Sequence, residues 1–307
     1  MTITFAKRWK EQVNAARQTW AAYLACGSPS CARLQRFSKR VRRREPSIMR
    51  LDGARYCFPR CFDSALQGRF DQLLRSSVVK PRRPHRIPLG LLMLAHGDID
   101  ARQLHDALSA QRNNGRGRIG EWIEYMGYAR EAQVTAAISA QWACPVLPGL
   151  PEPLIAPSLP LALLRCYRMA PVHYVKSSRL LHVAFSDAVD YAALLAIEQT
   201  LECQAQPCII SSSALDALLG QLEEKPRRPD QVFGTTHSAN EMARVTSSHC
   251  RAFAAQGVRL ARCGPFIWAR VQANDDSANL LFPVEELREN FAPMRAPDRL
   301  RLSAAGA

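Results

Sequence analysis

Between Arg86 and Trp142 the apolar and polar positions repeat at a fixed offset of 30 residues. Gly90 aligns with Gly120, Gly97 with Gly127, Leu104 with Val134, Leu108 with Ile138 and Gln111 with Gln141. Such a period means one supersecondary unit used twice. Each unit predicts a short helical turn, a glycine break at Gly97 or Gly127, and then a longer helix. The first long helix opens at Asp98 or Asp100, both good N-caps ahead of an apolar-periodic run. Leu104, Leu108 and Gln111 are spaced four and three and so share one helix face, as do Val134, Ile138 and Gln141. The aliphatic stripe by itself reads as the core of a four-helix mini-bundle. The glutamines ask for more, because a buried amide without partners costs roughly 1–3 kcal/mol. Two of them at matched positions imply a shared kind of partner. Gly90 and Gly120, having no Cβ, let another group approach the backbone. The intervening Asn113-Asn-Gly-Arg-Gly-Arg118 offers backbone amides and guanidinium forks that suit phosphate. A flexible loop is the plainer reading of that stretch.

The remaining pattern is mixed. Residues 5–26 carry an imperfect helical stripe, and a second helix opens at Cys61 or Phe62 with Phe62, Leu66, Phe70 and Leu73 on one face. After a proline-rich tract come a helix near Leu161–Tyr167, strands at 170–175 and 180–185, a helix at 189–200 capped by Asp187, a strand at 207–210 and a helix from 211–213 to Leu222. Farther on, Ser238 and Glu241 fit a capping box, with Met242, Val245, His249 and Phe253 on one helix face. Strands follow at 258–261, 266–271 and 280–284. The fold class expected is α+β: a tandem helical repeat packed on a small α/β unit, an N-terminal cysteine-bearing helical region, and a C-terminal helix with an antiparallel sheet. The divisions expected are 1–75, a linker 76–86, a domain 87–222 (repeat 87–142, α/β unit 143–222), a linker 223–236, a small α+β unit 237–290 and a tail 291–307.

Charge changes this picture at one end. Of 41 Lys and Arg, 20 fall in residues 1–86 against 5 of the 27 Asp and Glu, so the net +14 of the 307-residue chain belongs to that region. The run Arg40–Arg44 reads as a solvated charge run, with a nucleic-acid or anionic-membrane surface as the alternative. No apolar run reaches membrane-span length, and Lys7, Arg8, Lys10 and Glu11 stand where a signal peptide would be apolar. A cytoplasmic protein without membrane insertion is expected, so its 10 cysteines are thiols or metal ligands rather than disulfides. Cys26 and Cys31, with Cys57 and Cys61 about 25 residues on and feeding a helix, resemble a treble-clef-like zinc knuckle. Four thiolates satisfy tetrahedral zinc. Reduced, unligated thiols are the other reading.

The tandem pattern of Arg, Leu-Gly, two apolar residues, Gly and Leu-x3-Leu-x2-Gln resembles the MshEN domain. That is the N-terminal domain of bacterial type II secretion and type IV pilus assembly ATPases, in which the tandem motif binds cyclic di-GMP. The resemblance covers residues 86–222. It implies one half-site from Leu89, Gly90, Leu104, Leu108 and Gln111, and another from Arg118, Ile119, Gly120, Val134, Ile138 and Gln141, with Arg86 or Arg116 assisting at phosphate. The chain departs from the pattern at Pro88, Asp98, Glu124 and Tyr128. There is no G-x4-G-K-[ST] loop, H-E-x-x-H or G-x-S-x-G, so an enzyme is not expected. The expected function is a non-enzymatic cyclic di-GMP-responsive regulatory or docking protein acting in trans on a membrane-associated machine. The alternatives are a nucleotide-independent adaptor of a secretion, pilus or exopolysaccharide machine, and a zinc-dependent nucleic-acid-binding protein.

Overall fold

The computed structural model describes residues 26–29, 31, 48–76, 86–154, 158–225, 230–234, 238–274 and 276–284. The predicted first helix, the basic run Arg40–Arg44, most of the 76–86 linker and the 291–307 tail lie outside them. In chain order the elements are β1 (Ile48–Leu51), β2 (Ala54–Cys57), α1 (Arg60–Arg75), α2 (Leu89–His96), α3 (Ala101–Asn114), α4 (Ile119–Tyr125), α5 (Glu131–Trp142) and α6 (Leu161–Cys166). They continue as β3 (Met169–Val175), β4 (Leu180–Phe185), α7 (Tyr191–Leu201), β5 (Gln204–Ile209), α8 (Ser212–Glu224), β6 (Gln231–Val232), α9 (Ala239–Ala252), β7 (Gly257–Cys263), β8 (Phe266–Ala273) and β9 (Asp276–Pro283). No helix among the described residues is long and apolar enough to cross a membrane. The mixture of helices and sheets is α+β at the level of class.

Two compact units result. The first combines the described residues up to 76 with those of 231–262 and 266–284. Its sheet runs β2-β1-β7-β8-β9-β6, so the expected separation of 1–75 from 237–290 is corrected. The physical reason is a hairpin that the apolar pattern did not suggest. Leu51-Asp52-Gly53-Ala54 is a tight turn with φ +47 at Asp52 and +87 at Gly53, the primed geometry that matches strand twist. It lays β1 parallel to β7, with Arg50 opposite Gly257. The Asp52 carboxylate accepts from Leu260 N–H (2.9 Å) and from Arg69 Nε (2.8 Å), which ties the turn to β7 and α1. The expected 223–236 linker is corrected as well. Glu223 and Glu224 belong to α8, and β6 pairs in parallel with β9 while Phe233 stacks on Phe282 at 4.8 Å.

Helices α1 and α9 cover one face of this sheet. Phe62, Leu66, Phe70 and Leu73 are buried as their spacing predicts, against Met242 and Ala243 of α9 and Ile267, Ala269, Leu280 and Phe282 of the sheet. On α9 the buried positions include Ala239, Met242, Ala243, Thr246 and Cys250. The stripe is therefore rotated from the expected one, and His249 stands at its edge against Phe233. Arg262 donates to the carbonyls of Leu73 and Ser76, satisfying the C-terminal end of α1.

The second unit holds residues 78–230. Its sheet, β3-β4-β5, pairs β3 antiparallel and β5 parallel to β4, with α7 as the crossover between β4 and β5. The third strand begins at Gln204, earlier than the expected 207. The cap of α7 is Asp190, whose side chain accepts from Ala193 N–H at 2.8 Å, and not Asp187 as expected. Asp187 is engaged elsewhere, as described below. Helices α2 to α5 form the rest of this unit; α3 packs on α4, α5 packs on α2, and α5 also meets β5.

Phe70 is fully buried and meets Phe282 edge-on at 5.7 Å. Phe70→Ala is therefore expected to lower unfolding free energy by about 3–5 kcal/mol, and Phe70→Leu by less, as read from denaturant melts. An equal loss in both would mean that the ring contact, and not the volume filled, carries the stabilisation.

Candidate functional site

The 30-residue offset recurs in the hydrogen bonds of the helical segment. Gly97 N–H donates to Leu94 C=O and Gly127 N–H to Glu124 C=O; Asp98 N–H reaches Met93 C=O and Tyr128 N–H reaches Ile123 C=O. Gly97 and Gly127 have φ of +75 and +70, the left-handed close that favours glycine after a short helix. At the start of the long helices, Asp100 N–H donates to Gln103 Oε1 (2.9 Å) and Arg130 N–H to Gln133 Oε1 (3.0 Å). Only the first of these ends also has a capping carboxylate, Asp100 accepting from Gln103 N–H at 2.8 Å. The helix opens at Asp100, and Asp98 instead accepts from Gln133 Nε2 across the two units at 3.1 Å.

The two predicted glutamines find equivalent partners. Gln111 Nε2 donates to Gly117 C=O at 3.0 Å, and Gln141 Nε2 donates to Ile87 C=O at 2.7 Å. Acceptors and donors are both offset by 30, but the first reaches forward into the second unit and the second reaches back into the first. The exchange is reciprocal, as a pseudo-two-fold relation requires. Each amide holds the strand of chain that enters a short helix, α4 or α2. The glycines sit just inside those helices and are buried. A Cβ on Gly90 would lie 2.4 Å from Leu104 Cδ1, and one on Gly120 would lie 2.9 Å from Val134 Cγ1. The close neighbour that the missing Cβ admits is thus the aliphatic residue of the same unit.

Leu104, Val134 and Ile138 are buried; Leu89, Leu108, Ile119, Gln111 and Gln141 are half-buried, and Ile87 and Leu91 are exposed. The arginines separate. Arg86 stacks on the Trp142 ring with its guanidinium carbon 3.5 Å from the centroid, and its Nη1 donates to Gln141 C=O at 3.0 Å. Arg116 is exposed and its carbonyl accepts from Trp122 Nε1 at 3.0 Å. Arg118 pairs with Asp187, which also faces the buried Arg168 at 3.6 Å; Arg168 continues to Asp216 and Ser212. Burial pulls the Arg118 pKa down, Glu121 opposes that, and Arg168 adds to it. A second tie is Glu131, which accepts from Ser213 N–H (2.7 Å) and Ser213 Oγ (2.6 Å) at the start of α8. The residue pattern did not point to Trp142, Asp187, Arg168 or Glu131 as partners. Trp142 was findable as the aromatic neighbour of a matched glutamine; Arg168 has no local signal. A cavity of about 820 Å³ is lined by Tyr128, Arg130, Glu131, Gln133, Ser213 and Asp216 among others, and by none of the predicted ligand residues. Its acidic groups make it a poor place for phosphate.

The predicted metal residues also converge. The ligand atoms of Cys26, Cys31 and Cys57 lie within 4.8 Å of one another; Cys61 stands beside this trio, and its thiol interacts with those of Cys31 and Cys26. Burial, followed by the neighbouring thiols Cys26 and Cys31, pushes Cys57 up to about 12. Burial and the same two neighbours push Cys61 up to about 11. All ten cysteines are thiols.

No family model and no curated protein matches the chain. Among solved structures the chain is similar to one described as MshE with cdg, at 26% identity and a TM-score of 0.38, over 45% of this chain and 99% of that one. It is similar also to the N-terminal domain of XpsE, at 16% identity and a TM-score of 0.34, over 43% and 92% of the two chains. At these TM-scores neither likeness bears on function, and the geometry has to carry it.

Gly90→Ala is expected to destabilise the chain by about 1–3 kcal/mol through overpacking, and by clearly less on a Leu104→Ala background. Gly120→Ala with Val134→Ala should behave alike. A thermodynamic cycle with no coupling in either pair would mean that the glycines serve some other contact.

Proposed function

We propose that residues 86–142 are a receptor segment for cyclic di-GMP, and that the chain is a non-enzymatic regulatory or docking protein related to secretion or type IV pilus machinery. The observation that carries this reading is the reciprocal pair of glutamine bonds at a 30-residue offset. It builds two equivalent edges, one at Ile87–Gly90 and one at Gly117–Gly120, and a ligand made of two identical nucleotide halves suits two equivalent edges. Each carboxamide spends one N–H on a carbonyl and has a second N–H and an oxygen for a base edge. The half-buried Leu89, Leu108 and Ile119 offer apolar area beside them. Arg86 and Arg118 supply the charge for phosphate, and Arg116 stands exposed between the edges. The resemblance of the tandem motif supports the same ligand. Arg118 would have to share Asp187 with a phosphate, so binding and the contacts of Asp187 with Arg168 would be linked. That link runs from the helical segment to the α/β part of the same unit and supplies a route by which a ligand alters docking.

A second reading is favoured by a specific observation. Gln111, Gln141, Arg86 and Arg118 all have partners inside the chain, which is what a nucleotide-independent adaptor would need to hold its helices.

Titration of the full chain with cyclic di-GMP by calorimetry, with GMP as the control, separates the two. One ligand per chain is expected. Arg86→Met together with Arg118→Met should weaken binding by about tenfold or more, roughly 1.4 kcal/mol per decade, with the fold retained by circular dichroism. A folded chain that gives no heat and no thermal shift would leave the adaptor reading in place.

A further inference from the structure

The first unit holds a cluster that the nucleotide reading does not use. Residues 26–29 and 31 lie against the β1–β2 hairpin and the first turn of α1. Gly27 N–H donates to Arg55 C=O at 2.7 Å, and a Cβ on Gly27 would come within 3.1 Å of the Tyr56 ring. This close seating brings Cys26 and Cys31 up to Cys57, the last residue of β2, and to Cys61, the second residue of α1. Cys31 is buried and the other three are half-buried.

Two features distinguish this cluster from ordinary packing of thiols. The first is spacing. Sulfurs bound to a tetrahedral zinc at about 2.3 Å stand about 3.8 Å apart, and Cys31 Sγ and Cys57 Sγ are 3.9 Å apart. The second is a donor aimed at sulfur: Cys57 N–H points to Cys26 Sγ at 3.4 Å. A backbone N–H turned on a sulfur is the kind of outer hydrogen bond that orients a metal-bound ligand. The other six cysteines gather in no such group of three or more among the described residues.

We propose that Cys26, Cys31, Cys57 and Cys61 bind one zinc ion as a closed, structural site. With four protein sulfurs no position is left for water, which distinguishes it from a hydrolytic centre. On binding, four S–H bonds break and four Zn–S bonds form. The four protons pass to solvent, and the centre carries a net charge of −2. The ion cross-links Cys26 and Cys31 to the hairpin and to α1. The site stands apart from the nucleotide reading, and either can fail without the other.

The test uses the full chain, purified under reducing conditions. One zinc per chain by elemental analysis is expected. Replacement with cobalt should give the visible spectrum of a tetrahedral thiolate centre. Cys31→Ser and Cys61→Ser should lose the metal, whereas Cys203→Ser should keep it. Cys61→His, which preserves a tetrahedral donor set, should retain the metal with a shifted cobalt spectrum, and so keeps the test informative if the serine variants do not fold. A strong chelator should lower the melting temperature and make these four thiols reactive to alkylation. A zinc-free, folded chain whose melting is indifferent to chelator would overturn the proposal. So would disulfides joining these four cysteines in the freshly purified protein, or zinc retained by Cys31→Ser and Cys61→Ser together.

Discussion

The helical segment of the second unit depends on two backbone carbonyls, those of Ile87 and Gly117, each held by a glutamine of the other repeat. A carbonyl at the mouth of a helix is outside the helical ladder. Left to water, it gives the entering chain no fixed direction. Held by an amide from α3 or α5, it sets where α4 and α2 begin. The glycines can then accept the side chains of Leu104 and Val134 at distances no Cβ would allow. Because each unit supplies the donor for the other, neither is complete by itself.

That closure places the rest of the site. Arg118 opens α4, so its direction is set by the same entry that Gln111 holds, and it meets Asp187 at the end of β4. Asp187 also faces Arg168, which is buried and anchored by Asp216 and Ser212. A buried guanidinium with three oxygen partners is costly to disturb, since removing one partner leaves charge uncompensated. The α/β part is thus joined to the repeat through carboxylates rather than through apolar packing alone. Charge is a channel that an anionic ligand can enter, whereas an apolar seam is not.

The first unit follows a different logic. Its sheet takes strands from both sides of the second unit in sequence, and its core joins Phe62 and Phe70 to Leu280 and Phe282. The hairpin tip is secured by one carboxylate, that of Asp52. The zinc proposed for the cysteine cluster would tie Cys26 and Cys31 down as Asp52 ties the hairpin tip.

Local signals were legible. The repeat period, the cap at Asp100, the stripe of Phe62, Leu66, Phe70 and Leu73, and the two strands at 169–175 and 180–185 all rest on interactions within a few residues. The Asp52-Gly53 turn has a local signal as well, but the arginines around it obscure the alternation of its two strands. Other features had no local signal. Pairing of β1 with β7, placement of Gln231–Val232 beside β9, and capture of Asp187 by Arg118 and Arg168 join residues tens to hundreds of positions apart. Composition favours none of these over its rivals, because a strand edge, a carboxylate or a guanidinium accepts many partners. The sequence by itself determined most of the helices, the strands of the α/β unit, and that one helical unit is used twice. Only the tertiary structure decided which edges and charges meet, since that choice is made by the packing that buries the core.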